Sequence, residues 1–120
     1  MRKGILSLLL LFLCGCALPW RVPDDVVYVP LDMGDYQIAT YQRITDPNAP
    51  VRIYIEGDGN AFDGRGRPTM DPTPRGKFVR DMMAYDPSSN VVYMARPCQY
   101  IMTPACSQTD WTDGRFSARM

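Results

Sequence analysis

The chain has 120 residues, of which 46% are hydrophobic and 22% charged, a composition that excludes a disordered protein and is typical of a globular one. Thirteen basic residues balance thirteen acidic ones, and the largest basic groups are the pairs Arg65/Arg67 and Arg75/Lys77, so no face for binding nucleic acid is indicated. The chain contains no His, the usual general base for a Ser or Cys nucleophile and a common metal ligand, and we expect neither a metal ion nor an organic cofactor.

The amino-terminal residues follow the plan of a bacterial secretory signal. Arg2 and Lys3 precede a nearly unbroken apolar run at residues 5–13, which is much shorter than the roughly 20 residues that a membrane-spanning helix needs. The residues Leu13-Cys14-Gly15-Cys16 resemble the lipobox of bacterial lipoproteins, although Cys14 is a less usual residue inside it. The resemblance implies a signal peptide at residues 1–15 and a lipid on Cys16, the first residue of the mature chain. An ordinary signal peptide and an uncleaved anchor are the alternatives.

The predicted destination is the bacterial cell envelope, where the lipid anchors the protein to a membrane. Ala17 stands where an acidic residue favours retention at the inner membrane in some bacteria, so the periplasmic face of the outer membrane is expected. That compartment is oxidising. After cleavage and lipidation, Cys98 and Cys106 are the thiols left to pair, and two cysteines without His make a poor zinc site. A disulfide between them is therefore predicted.

The first part of the mature chain predicts a tether and two antiparallel strands. Residues 16–25 contain Pro19 and Pro23 and are predicted to be a tether, and residues 26–120 are predicted to be the folded domain. Residues 26–29 are expected to form a short strand that Pro30 ends. After a turn at residues 32–35, the alternation in residues 36–43 predicts an antiparallel strand near a sheet edge.

The second part predicts a parallel strand-loop-helix-strand unit. Residues 51–56 alternate as a strand and stop at Gly57-Asp58-Gly59, and the irregular residues 62–74 are expected to form a site wall. Thr73 and Pro74 predict the N-cap and first residue of a helix that ends at Tyr85. The apolar residues 90–95 predict a buried parallel strand, which we expect to keep an open edge, and residues 96–114 a long loop. Phe116 and Ser117 predict the start of a last helix.

The glycine loop after residues 51–56 is the main functional feature of the sequence. A dinucleotide loop would need a third glycine where Phe62 stands, and a calcium loop would need a ligand there. Glu56 and Asp58 are too close in sequence to flank a glycosidic bond easily, and carboxylates that are solvated or that brace the loop are the simpler interpretation. Two glycines let backbone N–H groups approach a substrate oxyanion. Gly59 and Asn60 are the candidate oxyanion-loop donors.

Several motifs together resemble a group of proteobacterial α/β-hydrolase-like lipoproteins. They are the lipobox, IYIEGDGNAF, DPTPR, NVVYMARPCQY and CSQTDWTDGRFS. The resemblance implies an α/β fold: the incomplete first half of an α/β-hydrolase-type sheet, with antiparallel edge strands followed by a β-loop-α-β parallel crossover. It also implies a small-molecule ester or related acyl substrate. Many hydrolases have His-Gly where this chain has Glu56-Gly57, so the carry-over is limited to the backbone donors around Gly59 and Asn60.

The catalytic residues of that family have no counterpart in this sequence. The chain has no G-x-S-x-G elbow and no His, so a Ser-His-Asp triad would lie beyond Met120. We therefore expect an amino-terminal portion of a hydrolase, truncated at its carboxyl end and inactive alone, with no catalytic residue in the chain. The alternative is a small, non-catalytic envelope lipoprotein that binds a ligand or a protein partner.

Lipidation of Cys16 is the first testable prediction. Mass spectrometry of the protein expressed with its own signal should find a diacylglyceryl group on Cys16, and the Cys16→Ser protein should lose that mass. A mature chain that begins at another residue would contradict the lipobox interpretation.

Overall fold

A computed structural model describes residues 19–118 of the chain. The predicted signal peptide, Cys16 and residues 119–120 lie outside the described residues. The elements, in chain order, are β1 (Val27–Tyr28), β2 (Leu31–Met33), β3 (Tyr36–Ile38), β4 (Thr40–Ile44), β5 (Arg52–Ile55), α1 (Phe78–Tyr85), β6 (Asn90–Met94) and a 3₁₀-helix (Gln108–Trp111).

The main sheet is mixed and has the strand order β1-β4-β6-β5. β1 pairs with β4 and β4 with β6 in the antiparallel sense, whereas β5 and β6 are parallel and place Tyr54 opposite Tyr93. β2 and β3 form a separate antiparallel hairpin. The predicted α/β class, with antiparallel strands before a parallel strand-loop-helix-strand unit, is confirmed at this level.

The order of the strands corrects the predicted edge. β6 was expected to keep an open edge, but it lies between β4 and β5, and its Val91 and Tyr93 are fully buried. β5 is the outermost strand at that end of the described sheet, with Ile53 53% and Ile55 60% exposed. The predicted burial of β6 on both faces is seen on one face only, because Val92 and Met94 on the other face are half-buried. The strand is nevertheless paired on both edges.

The strand predicted at residues 36–43 is divided at Ala39. Its first part is β3 of the hairpin and its second part is β4 of the main sheet. Ile38, Ala39 and Thr40 are buried in succession, and the Ala39 carbonyl accepts the N–H of Ala95 at 2.9 Å. In a strand with one buried face, buried and exposed side chains alternate. Three consecutive buried residues break this alternation at Ala39, because the chain passes there from the hairpin to the main sheet.

The helix begins at Phe78, five residues after the predicted N-cap Thr73. The Thr73 hydroxyl instead accepts the N–H of Tyr100 at 2.8 Å, which joins two loops. Gly76 lies just before the helix and weakens helical structure there. Lys77 occupies the N-cap position and makes no side-chain capping hydrogen bond.

One face of the main sheet carries the core. Met83 of α1 is fully buried and packs with Val26, Val91 and Tyr93, and Val79 adds to the same cluster. The described part of the predicted tether also contacts this face, because the ring of Trp20 meets that of Tyr41 edge-on at 4.9 Å.

The start of the last predicted helix falls at the carboxyl end of the described residues. Ser117, its predicted cap, lies at a bend, and residues 119–120, where the helix would continue, lie outside the described residues. Within residues 19–118, no helix has the length and apolar character needed to cross a bilayer.

Asp86 joins the carboxyl end of α1 to β5. Its carboxylate accepts hydrogen bonds from Arg52 at 2.7 Å, from the Tyr54 hydroxyl at 2.5 Å and from the N–H of Ser88 at 2.7 Å. The hydrogen bonds from Ser88 and Tyr54 hold the pKa of Asp86 well below its ordinary value. The ionised carboxylate therefore contributes to folding stability.

The Asp86 contacts predict a pH-dependent loss of stability. Because the folded-state pKa is lowered, the contribution is fully present above the unfolded pKa of about 3.9 and is lost as pH falls through the folded pKa. Urea unfolding midpoints of the wild-type and Asp86→Asn proteins should differ at pH 7 and converge as the buffer is acidified below about pH 4. The exposed Asp24→Asn change is the matched control and should leave the midpoints unchanged. A wild-type to Asp86→Asn difference that is constant from pH 7 to pH 2 would contradict this role.

Candidate functional site at the carboxyl ends of β5 and β6

Two loops meet where the parallel strands β5 and β6 end. Gln99, which is 2% exposed, connects them. Its Nε2 donates to the Gly57 carbonyl at 2.9 Å, and its Oε1 accepts the N–H of Arg96 at 3.0 Å. Arg96 also forms an ion pair with Asp58 across the same gap. These contacts fix the glycine loop on the loop that follows β6.

Glu56 is held by β6. Its Oε2 accepts the Tyr93 hydroxyl at 2.8 Å and its Oε1 accepts the N–H of Gly57 at 3.0 Å. Burial, together with the hydrogen bonds to Tyr100 and Glu56, raises the pKa of Tyr93 far above its ordinary value, so the phenol stays protonated and donates. Glu56, like Asp58, therefore braces the loop, which is one of the two simpler roles that the sequence allows for these carboxylates.

Asp63, in the segment whose sequence partly matches a calcium loop, also has a structural role. One carboxylate oxygen accepts the N–H groups of Arg65 at 2.8 Å and Arg67 at 2.9 Å, and the other accepts the Arg67 guanidinium at 2.8 Å. The backbone and side-chain hydrogen bonds from Arg67, with that from the Arg65 backbone, lower the pKa of Asp63. The carboxylate thus closes a turn with donors from its own loop.

Gly59 is the tightest point of the glycine loop. Its φ of +60° is unfavourable for a side chain, and an added Cβ would lie 2.3 Å from the Pro72 carbonyl oxygen and 2.8 Å from Gln99 Nε2. Only glycine fits this position without moving both loops. The sequence predicted that glycine lets the backbone come close to a substrate at this position. In the structure, the close neighbours of Gly59 are Pro72 and Gln99 of the protein's own loops.

The two predicted oxyanion-loop donors differ in their surroundings. The Asn60 N–H donates to the Pro72 carbonyl at 2.9 Å, so it already has an acceptor, and Asn60 Nδ2 lies 3.3 Å from the Asp71 carbonyl. Among the hydrogen bonds of residues 19–118, none uses the Gly59 N–H. Gly59 is therefore the donor of the predicted pair that remains able to bind a ligand.

A pocket of about 370 Å³ opens beside Gly59. Its walls come from the glycine loop and from the segment that leads into α1. Glu56, Asn60, Pro74, Arg75, Phe78 and Val79 line it. This is a size that accommodates a small organic ligand.

The predicted site wall is tied to the disulfide loop. The predicted bond between Cys98 and Cys106 is confirmed. The indole N–H of Trp111 donates to the Thr69 carbonyl at 3.1 Å, and the ring packs in one cluster with Cys98 and Ala61. Residues 62–74, the predicted wall, are therefore held in place by Trp111 of the disulfide loop and not by the glycine loop alone.

Sequence reasoning missed three residues of this arrangement. Gln99 and Tyr93 support the glycine loop, and Trp111 supports the wall. For Gln99 the sequence did contain a signal, since it is a polar residue that directly follows Cys98 in the loop after a buried strand. A buried amide requires hydrogen-bond partners, which predicts a contact with a neighbouring loop.

The packing around Gly59 predicts a large loss of stability on substitution. Gly59→Ala should lower the free energy of unfolding by about 2 to 4 kcal/mol, because it adds both backbone strain and overlap with the Pro72 carbonyl. Gly64, which has no atom within 4 Å of an added Cβ, provides the control. Gly64→Ala should stay within about 0.5 kcal/mol of wild type in the same urea titration. Equal effects for the two variants would show that the Gly59 contacts contribute little.

No protein-family model, curated protein or solved structure matches this chain. The α/β-hydrolase resemblance therefore remains a prediction from the sequence motifs.

Proposed function

We propose that residues 26–120 are the amino-terminal half of an α/β-hydrolase-type domain that a lipid on Cys16 anchors in the bacterial envelope, at the periplasmic face of the outer membrane. The full-length form hydrolyses an ester or related acyl bond. The observation that carries this proposal is Gly59, which lines a pocket at the carboxyl end of β5 and whose N–H has no acceptor among the described residues. The carboxyl ends of strands are where α/β sheets hold ligands.

A backbone donor at this position suits acyl transfer. The negative oxygen of a tetrahedral intermediate is stabilised by preorganised N–H groups, and one such donor is worth roughly 2.7 to 4 kcal/mol in the transition state. The Gly59 backbone is preorganised because the Pro72 carbonyl and the Gln99 side chain pack against one side of it, where a Cβ would stand. The hydrogen bond from Asn60 to Pro72 holds the next peptide and keeps the loop in this shape.

The nucleophile of the proposed reaction lies outside this chain. The described serines have no His to accept a proton, since the sequence contains none. In the proposal, the Ser-His-Asp triad is supplied by sequence after Met120, and these residues contribute the oxyanion donor and one wall of the pocket.

A non-catalytic envelope lipoprotein that binds a ligand in the same pocket is the second candidate. The observation in its favour is that both carboxylates of the loop have partners within the fold. Glu56 accepts hydrogen bonds from Tyr93 and Gly57, and Asp58 forms an ion pair with Arg96. Such a loop can present a rigid surface that binds a ligand without catalysing a reaction.

The first test uses the chain alone. The purified chain should show no labelling by a fluorophosphonate probe and no hydrolysis of a chromogenic ester, because an oxyanion donor without a nucleophile gives too little acceleration to measure. Specific labelling of any serine in this chain would overturn the truncated-hydrolase proposal.

The decisive test uses a longer form that includes the downstream reading frame. Replacing the Gly59 peptide N–H by an ester oxygen removes the donor without adding a side chain, and should lower kcat about 10²- to 10³-fold with little change in KM. The matched control is the same backbone replacement at Gly64, which does not line the pocket and whose N–H makes no backbone hydrogen bond within residues 19–118, and it should leave kcat within a few-fold of wild type. An unchanged kcat for the Gly59 replacement would place the oxyanion hole elsewhere, and an inactive longer form would favour the binding protein.

A further inference from the structure

The segment between the predicted lipid and the domain is held against the domain at Trp20. The Arg80 guanidinium lies over the Trp20 ring at 4.8 Å and also faces the Tyr100 ring at 5.3 Å. Farther along, Asp25 forms an ion pair with Arg43 at 3.1 Å, and Val26 is buried in the core. The predicted tether is therefore a docked segment from Trp20 onward rather than a long flexible spacer.

The remaining link to Cys16 is short. Three peptide units separate Cys16 from Pro19. Even fully extended, they span at most about 11 Å, which is close to the diameter of one α-helix with its side chains. A lipid on Cys16 therefore keeps the surface around Pro19 within one helix diameter of the lipid headgroups.

The element that shares this surface is α1. Pro19 and Trp20 line a groove of about 770 Å³ together with Ala84 and Tyr85 of the helix. The outer side of α1 exposes a stripe at i, i+4 and i+7 spacing, in which Phe78 is 76%, Met82 44% and Tyr85 85% exposed. Large apolar side chains with this exposure favour an apolar or interfacial environment.

Basic residues border the stripe. Arg21 and Lys77 line the groove beside Tyr85. Lys77 Nζ lies 3.9 Å from Oδ2 of Asp81, the acidic residue on the same wall. Aromatic rings flanked by Lys and Arg are the combination that binds at the interface of a bilayer with anionic headgroups.

We propose that the outer face of α1, formed by Phe78, Met82 and Tyr85 with Arg21 and Lys77 beside it, lies on the phospholipid bilayer to which Cys16 is anchored. The inference rests on the proposed lipidation of Cys16, because the short link is what selects a bilayer over a second protein as the occupant of this face. The lipid and the helix face then form two attachment points, and together they fix the orientation of the domain on the membrane.

The orientation is tested in vesicles with the lipidated protein. Nitroxide labels are placed at Tyr85→Cys and, on the opposite face of the sheet, at Ile53→Cys, since Cys98 and Cys106 are disulfide-bonded and do not react. In vesicles that contain phosphatidylglycerol, the label at position 85 should become shielded from a water-soluble nickel relaxant and accessible to oxygen. The label at position 53 should stay accessible to nickel. Equal nickel access at both positions, or shielding at position 53 alone, would overturn the proposal.

The helix face is tested separately from the lipid with the unlipidated Cys16→Ser protein. Phe78→Ser combined with Tyr85→Ser should lower its partition into phosphatidylglycerol vesicles about tenfold or more, because two interfacial aromatic side chains are lost. The Ile53→Ser and Ile55→Ser pair, which removes apolar residues that are 53% and 60% exposed on the other sheet face, should leave partition unchanged. No vesicle binding by the Cys16→Ser protein, or a solution dimer that Phe78→Ser abolishes, would overturn the bilayer assignment. Vesicle binding by this protein together with an unmodified Cys16 in the mature wild-type chain would instead refute the anchor in the proposed function.

Discussion

The insertion of β6 between β4 and β5 is the constraint on which the rest of the structure depends. β6 accepts an antiparallel neighbour on one edge and a parallel neighbour on the other, so residues distant in sequence are joined in one sheet. Asn90 at its start secures this arrangement, because its amide bonds the N–H groups of Thr45 and Asp46 and the carbonyls of Asp46 and Ala49. A buried amide with all its partners is costly to disrupt. Because β6 is parallel to β5, the two strands end side by side, and the loops that follow them meet at the candidate site.

At that end of β6, side-chain contacts replace the strand pairing. Glu56 meets the Tyr93 hydroxyl, Gln99 bonds the Gly57 carbonyl, and the two loops close against Gly59. Positive φ values at Cys98 and Tyr100 show how sharply the second loop turns to make these contacts. Non-glycine residues adopt this conformation only where their surroundings hold them there. The disulfide at Cys98 supplies part of that restraint, so loop geometry and site geometry depend on each other.

Local patterns predicted the elements well, and non-local contacts account for the differences. The parallel unit, the glycine loop and the Cys98 to Cys106 bond follow from alternation, composition and cysteine count. The strand order does not, because a nearly all-apolar β6 is compatible with an edge or an interior position until its partners are known. Thr73 met the local rules for a helix cap, but its hydroxyl bonds Tyr100, 27 residues away. The hydrogen bond from the Asn60 N–H to the Pro72 carbonyl could not be predicted either, because Pro72 lies in an irregular loop without a periodic sequence pattern.

Phe78 is where the proposed chemistry and the proposed membrane contact meet. Its side chain lines the pocket beside Gly59 and also begins the exposed stripe of α1. A domain that rests on a bilayer through this stripe has the mouth of the pocket close to the headgroups. Esters that partition into the membrane would then reach the Gly59 N–H without crossing bulk water, and the short link from Cys16 would keep the pocket at that depth. In this proposal, membrane contact is the reason why the outward-facing rings of α1, which contribute little to the core, are exposed.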